Sequence, residues 1–163
     1  MKKLYLSALL AVCCAACMTP LPAITNLPDN VELPVAAQEE VTVWKSADYN
    51  QRPVMMVFMG SWCPYCKMTM PAINVIAEEY GDQVEIVGVF MDADPKAVAA
   101  AAKEHNLTVK ALYNGGELAE TMEVKGLPHT VLFDKKHRAI RHWEGFDPDR
   151  ANHFRDALKR VAK

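Results

Sequence analysis

The sequence predicts an α/β sandwich of three layers, with helices flanking a mixed central sheet. Three observations predict it. The runs Val54-Met55-Met56-Val57-Phe58-Met59 and Val84–Phe90 are apolar without alternation and too short for independent helices, so each reads as a strand buried on both faces. Helical segments alternate with them, each opened by a proline at its first position: Pro64 and Pro95. Near the C-terminus, Thr130-Val131-Leu132-Phe133 and Ala139–Glu144 flank Asp134-Lys135-Lys136-His137, a hairpin that adds antiparallel pairs to a βαβ core.

In chain order, the N-terminus comes first. Lys2-Lys3 form a basic n-region and Leu4–Ala16 an apolar stretch of 13 residues, too short to span a bilayer but right for a secretory signal at 1–16. Two processing routes fit. Cys17 follows the small residues Ala15-Ala16, as a lipidated cysteine does, although Cys14 stands where such sites usually carry Leu. Ordinary signal cleavage near Ala16 or Ala23 is the other route. A cysteine count favours lipidation of Cys17, because cleavage there discards Cys13 and Cys14 and leaves one cysteine for lipid and one pair for chemistry. Either route places the mature protein outside the cytoplasm. Loss of the leader takes two lysines and no acid, moving the formal net charge from −2 to −4. That balance excludes nucleic acid as a partner.

Residues 17–40 hold four of the ten prolines and show no periodicity, so they read as a semi-extended tether ahead of one domain at 41–163. Val41–Trp44 reads as a short strand. After the strand ending at Met59, Gly60-Ser61 breaks the run. Tyr65, Met68, Ala72, Ile76 and Tyr80 then recur at helical spacing over Pro64–Tyr80, with a kink expected at Pro71. Asp94 is placed to cap the next helix and Asn106 to end it. A brief strand is expected around Thr108–Leu112 and an irregular or helical piece over Glu117–Glu123. Asp147-Pro148 opens a last helix whose inner face carries Ala151, Phe154, Leu158 and Val161.

The chemistry concentrates in Trp62-Cys63-Pro64-Tyr65-Cys66. This spacing sets Cys63 at a helix N-terminus, where unpaired N–H groups and the macrodipole favour negative charge and lower a thiol's pKa. Cys66 follows one turn inward, within reach of a mixed disulfide on Cys63. Thiol–disulfide exchange is the reaction this arrangement suits.

The pair does not stand alone. Phe58–Cys66, Met70-Pro71, Val87–Asp92 and Gly126-Leu127-Pro128-His129-Thr130 together resemble the thioredoxin superfamily, specifically the extracytoplasmic TlpA/ResA-like thiol–disulfide oxidoreductases, over roughly Val41–Lys163. The resemblance implies a thioredoxin-like three-layer sandwich in which Asp94–Leu112 is the TlpA/ResA-type insertion. It implies Cys63 as nucleophile, Cys66 as resolving thiol, and the two as a redox-active disulfide. It implies a cis Pro128 beside them, with Leu127 pairing strand-like with a bound chain and Trp62, Pro64 and Tyr65 completing the substrate surface. Protein disulfides are the implied substrates, apocytochrome c among them. A membrane-bound reducing protein is the implied electron source, the membrane a partner through a lipid on Cys17. No cofactor is required, and a monomer is expected. Two departures stand out. Val57 occupies the place of the buried thioredoxin Asp, and Thr69 that of the ResA Glu, so the usual proton relays are absent.

Other readings compete. A copper-delivery site built from Cys63, Cys66 and His129 suits soft thiolates and imidazole. A zinc site would need two further ligands, and His105, His137, His142 and His153 read as ordinary surface or packing residues. A peroxidase of the related peroxiredoxin type would carry Thr where Gly60 stands. Lys67, one turn from Cys63, reads either as a solvated lysine or as a support for the thiolate.

Overall fold

The computed structural model describes residues 26–36 and 42–162. The signal segment, Cys17 and the tether's first residues lie outside that range. At the centre, β3 (Val54–Met59) is flanked by parallel β4 (Glu85–Phe90) and antiparallel β6 (His129–Phe133). Beyond them β5 (Lys110–Leu112) pairs parallel with β4, and β7 (Ala139–Glu144) pairs antiparallel with β6, giving the order β5-β4-β3-β6-β7. The sheet is mixed, as the alternation of runs and hairpin requires. Every residue of β3 is fully buried because both faces are covered.

Successive side chains of β3 divide the core. Met55, Val57 and Met59 pack with α1 (Pro64–Tyr80), α2 (Pro95–Glu104) and α4 (Arg150–Leu158); Val54, Met56 and Phe58 pack on the opposite face. There the cover is α3 (Gly116–Thr121) together with a two-stranded sheet of β1 (Glu32–Pro34) and β2 (Val43–Lys45), followed by a 3₁₀ turn at Ser46–Tyr49. The tether expected over 17–40 is therefore corrected for its C-terminal part. Leu27 and Leu33 are buried, Val35 bridges Leu112, and Ser46 donates its hydroxyl to the Pro28 carbonyl at 2.8 Å. Prolines do not prevent this, because an edge strand tolerates a residue with no donor on its open side.

Asp94 caps α2 by accepting from the Lys96 N–H at 2.9 Å, and α1 runs unbroken through Pro71. The apolar residues spaced along α1 do not share one environment. Cys66, Thr69, Met70, Ile73 and Ile76 are buried, whereas Tyr65 and Met68 face solvent. No helix among the described residues is long and apolar enough to cross a membrane.

One polar network ties the small sheet to the large one. Glu85, 7% exposed, accepts from Trp44 Nε1 at 3.1 Å and from Lys110 Nζ at 2.7 Å, and Lys110 also donates to Tyr49 Oη at 2.7 Å. Burial disfavours the Lys110 ammonium, but its bonds to Glu85 and Tyr49 outweigh that and raise its pKa. Glu85→Ala leaves the buried indole N–H without an acceptor, so it is expected to cost about 2 kcal/mol. Urea midpoints of wild type and Glu85→Ala at neutral pH measure this. Glu85→Gln, which keeps an acceptor, should lose less.

Candidate active site

The site forms where β3 ends. Gly60 accepts from the Cys63 N–H at 3.1 Å, closing a turn that delivers Cys63 to the N-cap of α1. Gly60 lets the Trp62 indole fold back over the turn, since a Cβ there would lie 2.8 Å from the ring in its present position. Pro64 takes the first helical position, where no N–H is needed. Cys63 Sγ accepts from the Cys66 N–H at 3.2 Å, so the sulfur itself caps the helix, and the pair is joined as a disulfide with Cα atoms 5.3 Å apart. Cys63 is 4% exposed and Cys66 is fully buried. Of the two sulfurs, the capping one lies on the outer side.

Around it the surface is apolar. Trp62 is 67% exposed, and Tyr65 stacks on Phe146 with ring centroids 6.3 Å apart. A groove of about 510 Å³ is lined by Trp62, Cys63, Pro64, Tyr65, Met91 and Leu127, with further residues of the segment before β6 along its wall. The Leu127–Pro128 bond is cis, and the Pro128 carbonyl accepts from Gly145 N–H at 2.8 Å. Among the described residues no hydrogen bond engages the Leu127 N–H or carbonyl, and Leu127 lines the groove.

The relay positions hold no acid. Val57 is wholly buried in the core, and Thr69 turns its hydroxyl back to the Tyr65 carbonyl at 2.9 Å. Lys67 meets Cys63 through its backbone, donating to the Cys63 carbonyl at 3.2 Å.

His129 does not join the sulfurs, which corrects the copper reading. In the β3–β6 register His129 faces Phe58, and its ring lies edge-on to Phe58 at 6.4 Å. Phe58 packs on the face of the sheet opposite the cluster containing Val57, Cys63 and Cys66. One residue of strand parity separates Thr130, on the sulfur side, from His129. Among the described residues no group of three or more His, Cys, Asp or Glu side chains is placed to hold a metal.

Burial holds the His129 imidazole below its ordinary pKa, with Glu144, 4.0 Å from Nδ1, pulling up and His142 pushing further down. The unfolded chain takes up this proton near pH 6.5, before the folded one does. The stability from a neutral His129 is therefore intact above about pH 6.5 and is lost as pH falls toward the lower folded value. Chemical denaturation at pH 7.5 and 5.5 should show a drop that His129→Gln reduces. The Glu79 carboxyl, held down by its bond to Arg155, acts only in a more acidic window.

Sequence reasoning passed over one contact at the site. Asp92 binds Ser61 through both carboxylate oxygens, accepting from the backbone N–H at 3.0 Å and from Oγ at 2.5 Å. Parallel pairing of Met59 with Phe90 carries the signal, since Ser61 and Asp92 each lie two residues past those strand ends. Met91, which lines the groove, and Phe146, which stacks on Tyr65, carry no such signal, because each comes from a loop.

A disulfide-bonded Cys-x-x-Cys pair at a helix N-terminus, on a mixed five-stranded sheet with a cis-proline turn before β6, defines a thioredoxin-like fold. The chain belongs to the Redoxin family, whose model matches residues 18–158, and it is a TlpA/ResA-like member of the thioredoxin superfamily. It is 34% identical over 125 residues to a thioredoxin-like protein of Haemophilus influenzae, covering 69% of this chain and 72% of that one. The thiol-disulfide oxidoreductase ResA of Bacillus thuringiensis subsp. konkukian is 32% identical over 100 residues, covering 60% of this chain and 58% of ResA. The match spans 37%, 65% and 58% of the length of three of the curated relatives. The exposed lipoprotein thioredoxin Etrx1 of Streptococcus pneumoniae strain TIGR4 shares the fold with a TM-score of 0.69 at 22% identity, covering 81% of this chain and 99% of that one.

Proposed function

We propose that this protein is an extracytoplasmic thiol–disulfide oxidoreductase that reduces disulfides in other proteins. The observation that carries this reading is the capping sulfur: Cys63 sits at the α1 N-terminus and on the groove, with Cys66 bonded to it from the buried side. The Cys63 thiolate attacks one sulfur of the substrate disulfide and expels the other as a thiolate. Cys66, deprotonated, then attacks the Cys63 sulfur of the mixed disulfide. That closes the Cys63–Cys66 bond and releases the second substrate thiol, so two electrons and two protons pass to the substrate. Trp62, Pro64 and Tyr65 supply the apolar contact surface. Leu127 supplies a backbone donor and acceptor, held in place by the turn at Pro128.

Lys2-Lys3 and the apolar stretch Leu4–Ala16 support export, and Cys17 is the lipid attachment point in this reading. A membrane-bound reducing protein recharges the pair. Substrates are extracytoplasmic proteins, in cytochrome c maturation or in general redox homeostasis, and the protein acts as a monomer without a bound cofactor.

Cys66→Ser tests the reading. With no resolving thiol, the variant expressed in its native compartment should accumulate mixed disulfides on Cys63, visible as adducts that dithiothreitol releases. A Cys66→Ser protein recovered without adducts would contradict it.

A further inference from the structure

We propose that Asp92 is a positioning residue that sets the reduction potential of the Cys63–Cys66 pair by clamping the turn ahead of Cys63. This rests on the oxidoreductase reading above. Asp92 lies on the loop after β4, outside the Cys-x-x-Cys segment and outside the groove lining.

The geometry is that of a two-point clamp. Asp92 Oδ2 accepts from the Ser61 N–H at 3.0 Å and Oδ1 from the Ser61 hydroxyl at 2.5 Å. Ser61 is the second residue of the turn closed by Cys63 N–H onto the Gly60 carbonyl. Two residues later the chain reaches the sulfur. Asp92 is itself fixed from behind, because its carbonyl accepts from Asn114 N–H at 2.9 Å, and Met91 N–H donates to the Met59 carbonyl at 2.9 Å. The turn carrying Cys63 is thereby tied to the β4 edge, while Cys66 is held by the buried face of α1. Each sulfur depends on a different anchor.

This matters for one equilibrium. The protein disulfide plus two glutathione thiols gives the protein dithiol plus glutathione disulfide, with two electrons exchanged and protons balanced. The position of that equilibrium measures how readily the two protein sulfurs find each other. A clamped turn keeps Cys63 near Cys66 in the dithiol, so closing the disulfide fixes few further dihedrals. A released turn gains freedom in the dithiol that closure must then remove. Loss of the clamp should disfavour the disulfide and raise the potential. The bonds hold the turn by geometry, so an amide at position 92 serves as well as a carboxylate: its oxygen accepts from the Ser61 N–H and its NH₂ donates to the hydroxyl oxygen.

The test equilibrates the purified full chain and its variants with graded glutathione ratios and reads the dithiol fraction. Asp92→Ala should shift the equilibrium about tenfold toward the dithiol, a rise of about 30 mV. Ser61→Ala, which keeps the backbone bond, should shift it about threefold. Asp92→Asn and Ser61→Thr should return to within about twofold of wild type. The proposal is overturned if Asp92→Ala leaves the equilibrium unchanged while oxidised and reduced forms lose thermal stability equally, for that is a purely structural role. It is also overturned if Asp92→Asn shifts the equilibrium as far as Asp92→Ala, which would make charge the cause. Should Asp92→Ala fail to fold, the Ser61→Ala and Ser61→Thr pair decides alone, equal values sinking the clamp. A wild-type pair that never exchanges with glutathione would instead refute the oxidoreductase reading itself.

Discussion

Cys63→Ser should lower disulfide reduction by about a thousandfold or more, to the level of the solution reductant alone. A serine hydroxyl is not ionised near neutral pH, and its oxygen forms no mixed disulfide, so the first step has no substitute. The remaining thiol offers none, because Cys66 is fully buried, belongs to the same core cluster as Met70 and Ile73, and does not line the groove. Insulin reduction monitored by turbidity, with a fixed dithiothreitol supply, measures the loss. Cys66→Ser should lose turnover too, yet retain one-step reaction with a disulfide at Cys63. The two variants thus differ in kind. If Cys63→Ser kept wild-type turnover, the roles assigned to the two cysteines would be wrong.

Phe154→Ala is expected to be the most damaging single change to the fold away from the sulfurs. Phe154 is fully buried in the face that also holds Cys66, and it meets Trp143 of β7 edge-on with ring centroids 4.9 Å apart. The Arg150 guanidinium lies 6.0 Å over the ring while donating to the carbonyls of Glu144 and Gly145 at 3.1 and 2.9 Å. Truncation opens a cavity beneath α4 and removes the aromatic pair, a loss of about 3–5 kcal/mol. For a domain of this size that lowers the melting temperature by on the order of 10 °C, read by circular dichroism. Phe154→Leu, which refills most of the volume, should recover over half of it. Equal melting of Phe154→Ala and wild type would contradict the packing described here.

Much of this fold can be read from apolar runs and caps. The run Val54–Met59 is a central strand because it offers no polar face, and Asp94-Pro95 opens a helix because cap and first-turn chemistry agree. The placement of the cysteine pair is equally legible, since Pro64 opens α1 and so puts Cys63 at its N-cap and Cys66 one turn inward. Amphipathic reasoning failed on α1, where Tyr65 and Met68 are apolar yet exposed. Core burial and a binding surface use the same residue types, so periodicity alone does not tell which apolar side chains of α1 face inward. Along 26–36 the prolines hid a packed strand, because Leu27 and Leu33 are too few to form a pattern. His129 was misplaced by a single step of strand parity, which moves a side chain through the sheet. The Ser61–Asp92 contact needed the β3–β4 register, a long-range fact that local pattern does not contain.

The central claim is that the Cys63 sulfur, capping α1, is the reactive thiolate while Cys66 is sheltered. Timed alkylation of the fully reduced protein across pH, with each cysteine followed by peptide mass spectrometry, tests it most directly. Cys63 should react first, with a midpoint well below the value of about 8.5 for a free cysteine, and Cys66 should stay protected until the fold opens. Cys66 reacting first, or Cys63 titrating at or above that value, would contradict it.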